Sequence, residues 1–539
     1  MANLYRLAGL ASPLDESPAA LKRRVAKAAR VPAARIAALR VTKRSIDARR
    51  KPRIRYVLQV EFATEKPLPR RLPRGVQPVE RSALDIPDPA FLAGTRRPGP
   101  GGPVVVVGAG PAGLFAALAL SEAGRKTVLI ERGKAVEERM RDIGALRASG
   151  RLDPESNVCF GEGGAGAYSD GKLYSRVKHP YARWVLKAFV GAGADASILV
   201  DAHPHLGTDK LVAIVRGLRE RLLAAGAEIR FQTRVDSVLL GKGAVRGVRL
   251  STGEEIAASR VVLAIGHSAR DTIGSLLRDG VRVEPKAFAV GVRAEHPQEL
   301  VDRSQYGVPR HPVLGAAPYA LAHQVPDSRL KTRGIYSFCM CPGGFIIPTP
   351  TEPERMVVNG MSNSRRSTPF ANSGVVVQVV PEDLVARGLP DTPLVGIAFQ
   401  RELESAAFRA VRRPYHAPAM RVDDFIAGRA SGDLAATNFR PGTEACDLRE
   451  ILPDWVAGPL RDGLRAFARK LRGYDSAEGN LFAVESRTSA PVRITRGEDM
   501  AATGIEGLYP VGEGAGYAGG IVSSAVDGLR AAEAILGPA

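Results

Sequence analysis

Cysteine and histidine are scarce in this chain of 539 residues, with 4 of the first and 8 of the second. So few cysteines cannot form a disulfide framework, and they point to a reducing compartment. The histidines do not gather around them at metal-ligand spacings, so no metal site is expected. Long hydrophobic runs are missing as well. The longest apolar stretch, VVVVGAGPAGLFAALAL from Val104 to Leu120, is short and is broken by Gly108, Gly110, Pro111 and Gly113, which argues against a membrane span. The opening MANLYRLAGLASPLDES has no basic start followed by an apolar core. These absences lead to the expectation of a cytoplasmic protein with no membrane partner.

Charge is plentiful and uneven. The formal net charge is +20, and residues 1–100 hold 22 Lys and Arg against 8 Asp and Glu. A basic module of this kind is either a footprint for nucleic acid or an acidic partner, or a solvated surface in a proteome that favours arginine. The second reading is preferred.

The chain divides by pattern. LYRLAGLAS reads as a strand and ESPAALKRRVAKAARV as a helix that starts near Asp15 or Ser17. AALRVTKRSIDARRKPRIRYVLQVEFA reads as two strands joined by a basic turn. Residues 1–80 are thus a small β-α-β-β module. Residues 81–103, ending in RRPGPGGP, have linker composition. PVVVVGAGPAGLFAALALSEAGRKTVLIERG is a β-α-β unit. Short alternating strands and one buried strand, VVLAI, follow it and complete a first nucleotide-binding segment over 104–280. Residues 281–480 mix strands such as KAFAVGVRAE with helices such as PLRDGLRAFARKLRG, and read as a β-rich substrate or cap domain. Residues 481–539, with GLYPVGEGAGYAGGIVSSAVDGLRAAEAIL, repeat the grammar of strand, glycine turn and helix, and read as the second nucleotide-binding segment.

The chemistry rests on glycine. Gly108, Gly110 and Gly113 form G-x-G-x-x-G between a strand and a helix. Gly108 permits the tight turn, Gly110 lets the backbone approach a pyrophosphate, and Gly113 allows close helix packing, with the helix N-terminus aimed at the phosphates. An acid is expected at the end of the second strand for the ribose hydroxyls, and Glu131 in TVLIERG stands there. A further glycine-rich loop, CFGEGGAGAYSDGKLYSR, holds Gly163, Gly164, Ser169 and Lys172. No second G-x-G-x-x-G follows a strand: FVGAGAD at Phe189 has the first two glycines only. A separate NAD(P)H domain is therefore not expected, and NAD(P)H enters only as a transient electron donor.

GAGPAGL, ERG, AIGHSA and LYPVGEGAGYAGGIVSSAVDG, in this order, resemble the glutathione-reductase-like FAD superfamily. YSFCMCPGGFIIP, VVNGMSNSRRSTPFANSGVVV, GIAFQRELESAAF and VESRTSAPVRITR, from about Tyr56 onward, resemble more narrowly the group called FAD-dependent dehydrogenases. The resemblance implies an α/β fold: a Rossmann-like FAD-binding domain with an inserted β-rich substrate domain, behind the small N-terminal module. It implies one non-covalent FAD whose site is shared by the two glycine turns. Carried over residue by residue, its contacts fall on Gly108, Gly110, Pro111, Ala112, Gly113, Glu131, Arg132, Val235, Gly266, Gly512, Glu513, Gly520 and Ile521, with Gly163, Gly164, Ser169 and Lys172 from the loop between. Glu513 stands where aspartate is more usual. FRAVRRPYHAPAM departs from the group's pattern at Arg412 and Arg413.

Catalytic candidates are fewer. Cys339 and Cys341 flank Met340, but a bridge across one residue is strained, so cap packing is preferred over a substrate-facing thiol. Arg487 in ESRTSAPVR either steers an anionic substrate or the flavin, or pairs with Glu485 or another acid. Cys341 and Arg487 are the two candidates kept. His203 and His205 in AHPHLG read as a loop and not a ligand pair, and His267 beside Gly266 reads equally as near the cofactor or as packing. The expected function is an FAD-dependent oxidoreductase that passes hydride through flavin N5 to or from a small-molecule substrate. The rivals are an RNA-linked flavoprotein that uses the basic module, and a non-catalytic redox sensor.

Overall fold

Four consecutive valines, Val104–Val107, form the middle strand of a five-stranded parallel sheet and are all buried. In this computed structural model the described residues are 3–92 and 102–537. Most of the expected linker motif RRPGPGGP lies outside them. The strands stand in the order Leu508–Pro510, Arg260–Leu263, Val104–Val107, Thr127–Ile130, Glu228–Arg230. A parallel sheet is covered on both faces, so its strands are apolar throughout instead of alternating. Val104 and Val106 face a helical layer, while Val105 and Val107 face the antiparallel meander Val235–Gly241, Ala244–Leu250 and Glu255–Ala257 together with the helix Arg270–Arg278.

The helical layer explains the apolar run that follows the valines. In the helix Pro111–Glu122 every residue from Ala112 to Ser121 is buried. One side meets the sheet, another meets Trp184 and Phe189 of the helix Tyr181–Gly191, and a third meets the last helix, Ile521–Leu536. A helix enclosed on all sides has no polar face to display. The chain thus leaves the parallel sheet after Leu263 and rejoins it at Leu508, beside the strand from which it left.

The intervening segment builds a seven-stranded sheet, ordered Ala322–Asp327, Lys331–Cys341, Phe370–Val379, Phe288–Pro297, Asn480–Glu485, Ala417–Arg421, Thr443–Ala445. All neighbours are antiparallel except the last two. Asn480–Glu485 belongs to this sheet, so the chain is still within it at residue 481, where the pattern suggested the return to the first sheet. The helix Asp454–Lys470 packs its apolar stripe on one face, and the hairpin of Phe345–Pro348 and Val358–Met361 lies near the other, toward the parallel sheet.

The N-terminal module is a four-stranded antiparallel sheet with one helix. Its helix Pro18–Ala29 is capped by Ser17, whose hydroxyl accepts from the Ala20 amide. A short strand, Val76–Pro78, adds the fourth strand beside Asn3–Ser12. The module is anchored to the body. Arg44 pairs with Asp201 at 2.7 Å, and Ala48 and Ile54 pack against the core of the seven-stranded sheet. The residues just before the undescribed stretch are packed as well: Phe91 is buried, and Trp184 donates to Asp88 at 2.9 Å.

Candidate functional site

A single cleft of about 380 Å³ runs from the C-terminal ends of the parallel strands to the edge of the seven-stranded sheet, within the usual size range for small-molecule sites. Its first wall is the turn after Val107. Gly108 has φ +99°, and a Cβ there would stand 2.4 Å from the Ala264 carbonyl oxygen. A Cβ on Gly113 would stand 1.8 Å from the Gly108 carbonyl oxygen. These two glycines serve backbone packing. Gly110 differs: the nearest atom to its missing Cβ is Gly164 Cα, 3.8 Å away, and the space beside it is the cleft. Gly110, Pro111 and Ala112 line the cleft with the N-terminus of their helix, where first-turn amides lack intrahelical partners. Gly113 and Gly163 are not on the cleft wall; the Gly163 amide donates to the Ala109 carbonyl at 2.7 Å and props the turn from behind.

The second wall comes from the other end of the chain. Gly512, Glu513, Gly520 and Ile521 line the cleft, with Ser524 one turn into the last helix. Asp527 holds this turn in place: its carboxylate accepts from the Gly512 amide at 2.8 Å and from Arg496 at 2.7 and 2.9 Å. Both helix N-termini therefore open on one space, and the last turn completes the first site instead of making a second. Such termini favour negative charge.

Glu131 is buried and does more than the sequence pattern implied. Its Oε2 accepts from Ala109 N at 2.8 Å, and its Oε1 accepts from Gly133 N and Gly161 N, each at 2.9 Å. It ties three loops together and, with about four lone-pair sites on a carboxylate, keeps one for an outside donor. Arg132 stacks over Phe160 at 4.2 Å and pairs with Glu155 and Asp271 at 2.6 and 3.0 Å. Val235 and Gly266 complete this part of the wall. Glu513 is half-buried, and burial pushes its carboxyl up to about 7 against the pull of Lys286.

Arg487 lines the cleft, and its acid partner is Glu404, not Glu485. Glu404 is fully buried between two arginines: Arg270 donates to it at 2.7 and 2.9 Å, and Arg487 at 2.9 and 3.0 Å. Arg487 also donates to Thr351 Oγ1 at 2.6 Å and to Ser268 Oγ at 3.2 Å. His267 lies beside this cluster on the cleft wall, where burial and the two arginines push it down to about 4 and keep it neutral. Glu404 stands in GIAFQRELESAAF and Arg270 just after AIGHSA, but neither stretch names the other as its partner. Their contact crosses more than a hundred residues of chain, and the sequence offers no signal for it.

The far end is formed by Lys172 and Ser169 of the glycine-rich loop, by Asn359, and by the bulged end of the strand Lys331–Cys341. Cys339, at φ +43°, is exposed on the wall, and Cys341 is buried with its sulfur 3.4 Å from Arg293 Nη2. Arg293 is the cation that answers Glu485, at 3.0 Å. His203 and His205 are not a ligand pair: His203 packs on Tyr174, with ring centroids 4.7 Å apart, and His205 bonds the Ser364 carbonyl. Arg412 and Arg413 are away from the cleft, where their backbone amides donate to Glu444.

Known proteins similar to this chain are flavoproteins in several cases. Residues 103–141 match a family model described as an FAD binding domain, 210–361 one described as FAD dependent oxidoreductase, and 287–488 one described as FAD-dependent protein, C-terminal domain-like. Residues 6–63 match a domain of unknown function. A digeranylgeranylglycerophospholipid reductase of Methanothrix thermoacetophila is 29% identical over 171 residues, 30% of this chain and 38% of that one. Among solved structures, NikD, an unusual amino acid oxidase, is 15% identical over 80% of this chain and 93% of its own, with a TM-score of 0.32. CtdE in complex with FAD is 12% identical over 80% and 83%, with a TM-score of 0.30. Neither a nucleic-acid role nor a sensor role is favoured by these matches. Among the described residues no helix is long and apolar enough to cross a membrane. An uncharacterized protein of Clostridium beijerinckii is 41% identical over 531 residues, 97% of each chain; the chain belongs to that protein's family, and the matched domains make it an FAD-dependent oxidoreductase.

Proposed function

We propose that this enzyme, a member of the glutathione-reductase-like superfamily, transfers hydride between a small-molecule substrate and its FAD, which supplies a two-electron centre at N5. The observation that carries this reading is the shape of the cleft. Two helix N-termini, from opposite ends of the chain, flank one half of it, and a second half continues to the edge of the seven-stranded sheet. One half suits a dinucleotide and the other a substrate. The open space at Gly110 and the unpaired first-turn amides beside it would receive the diphosphate. Glu131 has one acceptor site left for a ribose hydroxyl, and Arg132 and Val235 border the adenosine side. Gly164, Gly266, Gly512, Glu513, Gly520 and Ile521 line the middle, with Ser169 beyond them toward the far end. There the N-terminus of the last helix favours negative charge on the reduced cofactor.

Arg487 is a positioning residue in this reading. Its guanidinium is engaged by Glu404, Thr351 and Ser268, so it fixes the wall instead of moving a proton. Cys341 borders the cleft but is buried, and its thiol donates to the Cys339 carbonyl. The chain holds no second dinucleotide turn, so any nicotinamide donor enters the same cleft and leaves again. Anaerobic mixing of the holoenzyme with NADH and NADPH tests the reading. Bleaching by one nucleotide, slowed several-fold by deuterium at the transferred position, is the expected result. Bleaching by neither removes the nicotinamide donor, and reduction without an isotope effect overturns hydride transfer.

A further inference from the structure

The far end of the cleft is built almost entirely of hydrogen-bond donors. Its acceptors are already in use. The Met340 carbonyl holds Lys172 Nζ. The Cys339 carbonyl accepts from Arg293 Nη2 at 2.7 Å and from Cys341 Sγ at 3.2 Å. Asn359 Oδ1 accepts from Arg293 Nη1 at 3.1 Å and from Gly360 N at 2.7 Å. The Asp170 carboxylate takes both Arg366 nitrogens, at 2.6 and 3.0 Å, and Lys172 at 2.9 Å.

Two donors are left over. An ammonium has three N–H groups, and Lys172 spends one on Met340 and one on Asp170. The third has no partner among the described residues. Asn359 Nδ2 also meets no acceptor among them. Both side chains line the cleft, and both attach to the same three-residue stretch: Lys172 to the Met340 carbonyl, Asn359 through Arg293 to the Cys339 carbonyl.

Charge points the same way. Asp170 is shared by two cations, Lys172 and Arg366. Glu404 is likewise shared by Arg270 and Arg487. Each cluster keeps one positive charge in excess. Nearby, Arg293 pairs with Glu485, and Glu352 lies 2.9, 3.7 and 3.8 Å from Arg401, Arg270 and Arg355, so it leaves no negative charge in excess. His205 and His267 are held neutral by burial. This end of the cleft, where positive charge is in surplus and the acceptors named above are engaged, is complementary to an anion.

We infer that the substrate is an organic carboxylate whose carboxyl group is received by Lys172 Nζ and Asn359 Nδ2, with the remainder lying along Phe338 and Cys339. This rests on the oxidoreductase reading above. A carboxylate suits the site better than a phosphate, because among the described residues that line this end there is no helix N-terminus and no free arginine fork, the usual phosphate cradles.

The test titrates the FAD-loaded enzyme with acetate and benzoate, and with their neutral isosteres acetamide and benzamide, by calorimetry and by the flavin difference spectrum. At least one acid is expected to bind saturably and to perturb the flavin bands, with its amide at least about tenfold weaker. Lys172→Met should weaken the acid by at least about tenfold; because the resemblance puts Lys172 among the FAD contacts and the inference moves it to the substrate end, FAD content and the ligand-free spectrum are the readouts that separate the two roles. Lys172→Gln, which can still bond the Met340 carbonyl, serves if the methionine variant does not fold. The inference is overturned if neither acid binds, if acid and amide bind alike, or if the Lys172 variants bind the acid as the parent does. It is also overturned if those variants shift the flavin bands without ligand, which would place the ammonium against the cofactor. None of these titrations needs turnover, so a failed carboxylate site and a failed hydride transfer are read separately.

Discussion

Gly528 of the last helix lies against the backbone of Ala112 in the first: a Cβ on Gly528 would stand 2.0 Å from the Ala112 carbonyl oxygen. The two helices that offer their N-termini to the cleft are thus held together by the lack of a side chain. Gly528→Val should cost about 1–3 kcal/mol or more through overpacking and spread the two termini. The expected result is a lower Tm together with loss of FAD, seen in thermal unfolding and in flavin absorbance per chain.

Gly110 and Gly113 should separate cofactor binding from folding. A side chain at Gly110 meets open cleft, and one at Gly113 meets the Gly108 carbonyl at 1.8 Å. Gly110→Val is expected to give a folded, flavin-free protein with nearly the Tm of the parent apoprotein. Gly113→Val is expected to lose stability first. Full FAD occupancy in Gly110→Val would contradict the place given to the diphosphate.

Removing the carboxylate between Arg270 and Arg487 should be severe. Glu404→Gln leaves the buried Arg487 guanidinium with no paired anion and Arg270 with Glu352 alone, at 3.7 Å, a loss of about 3–5 kcal/mol. Burial alone would raise the Glu404 carboxyl, but Arg487 and Arg270 overcome this and hold it well below the usual range. Its stabilisation is therefore complete above the ordinary glutamate value of about 4.3 and is lost as pH falls through its depressed folded value. Chemical denaturation against pH should show a steep acid limb in the parent and a shallower one in Glu404→Gln.

Glu513 should behave in the opposite sense. Burial raises its carboxyl to about 7 in the folded chain, so the folded state holds its proton more tightly than the unfolded state does. This carboxyl destabilises the apoprotein increasingly as pH rises from the ordinary glutamate value of about 4.3 to its folded value. Glu513→Gln is expected to raise the apoprotein Tm at about pH 8 more than at about pH 5, which differential scanning can follow.

What could be read from the sequence was local. Gly108 and Gly113 could be read because a turn and a close approach demand glycine whatever the rest of the chain does. The helix Pro18–Ala29 could be read from Ser17 and its apolar spacing. The opening valines and the closing GLYPVGEGAGYAGG share one grammar, so their meeting in one sheet was also legible. Glu131 was recognised as an acid at a strand end, but its hold on Ala109, Gly133 and Gly161 depends on loops that pattern does not place. The strand Asn480–Glu485 was misplaced because an apolar strand does not declare its sheet. The partners of Arg270, Glu404, Arg293 and Asn359 cannot be read for a stronger reason, although Glu404 and Asn359 stand in GIAFQRELESAAF and VVNGMSNSRRSTPFANSGVVV: each is an ordinary polar residue until the fold removes water from around it and sets its partners.

The pairing of Ala112 with Gly528 also sets an order of events in time. The first glycine turn is synthesised several hundred residues before the helix that completes its cleft. At about 5–20 residues per second, the half-built site waits on the order of tens of seconds. During that interval the N-terminal module can fold, while the seven-stranded sheet waits for Asn480–Glu485 to pair with Phe288–Pro297 and the helix Pro111–Glu122 still exposes the face meant for its partner. Cofactor capture is then a late step, and a ribosome-bound chain that stops short of Ile521 should bind no flavin.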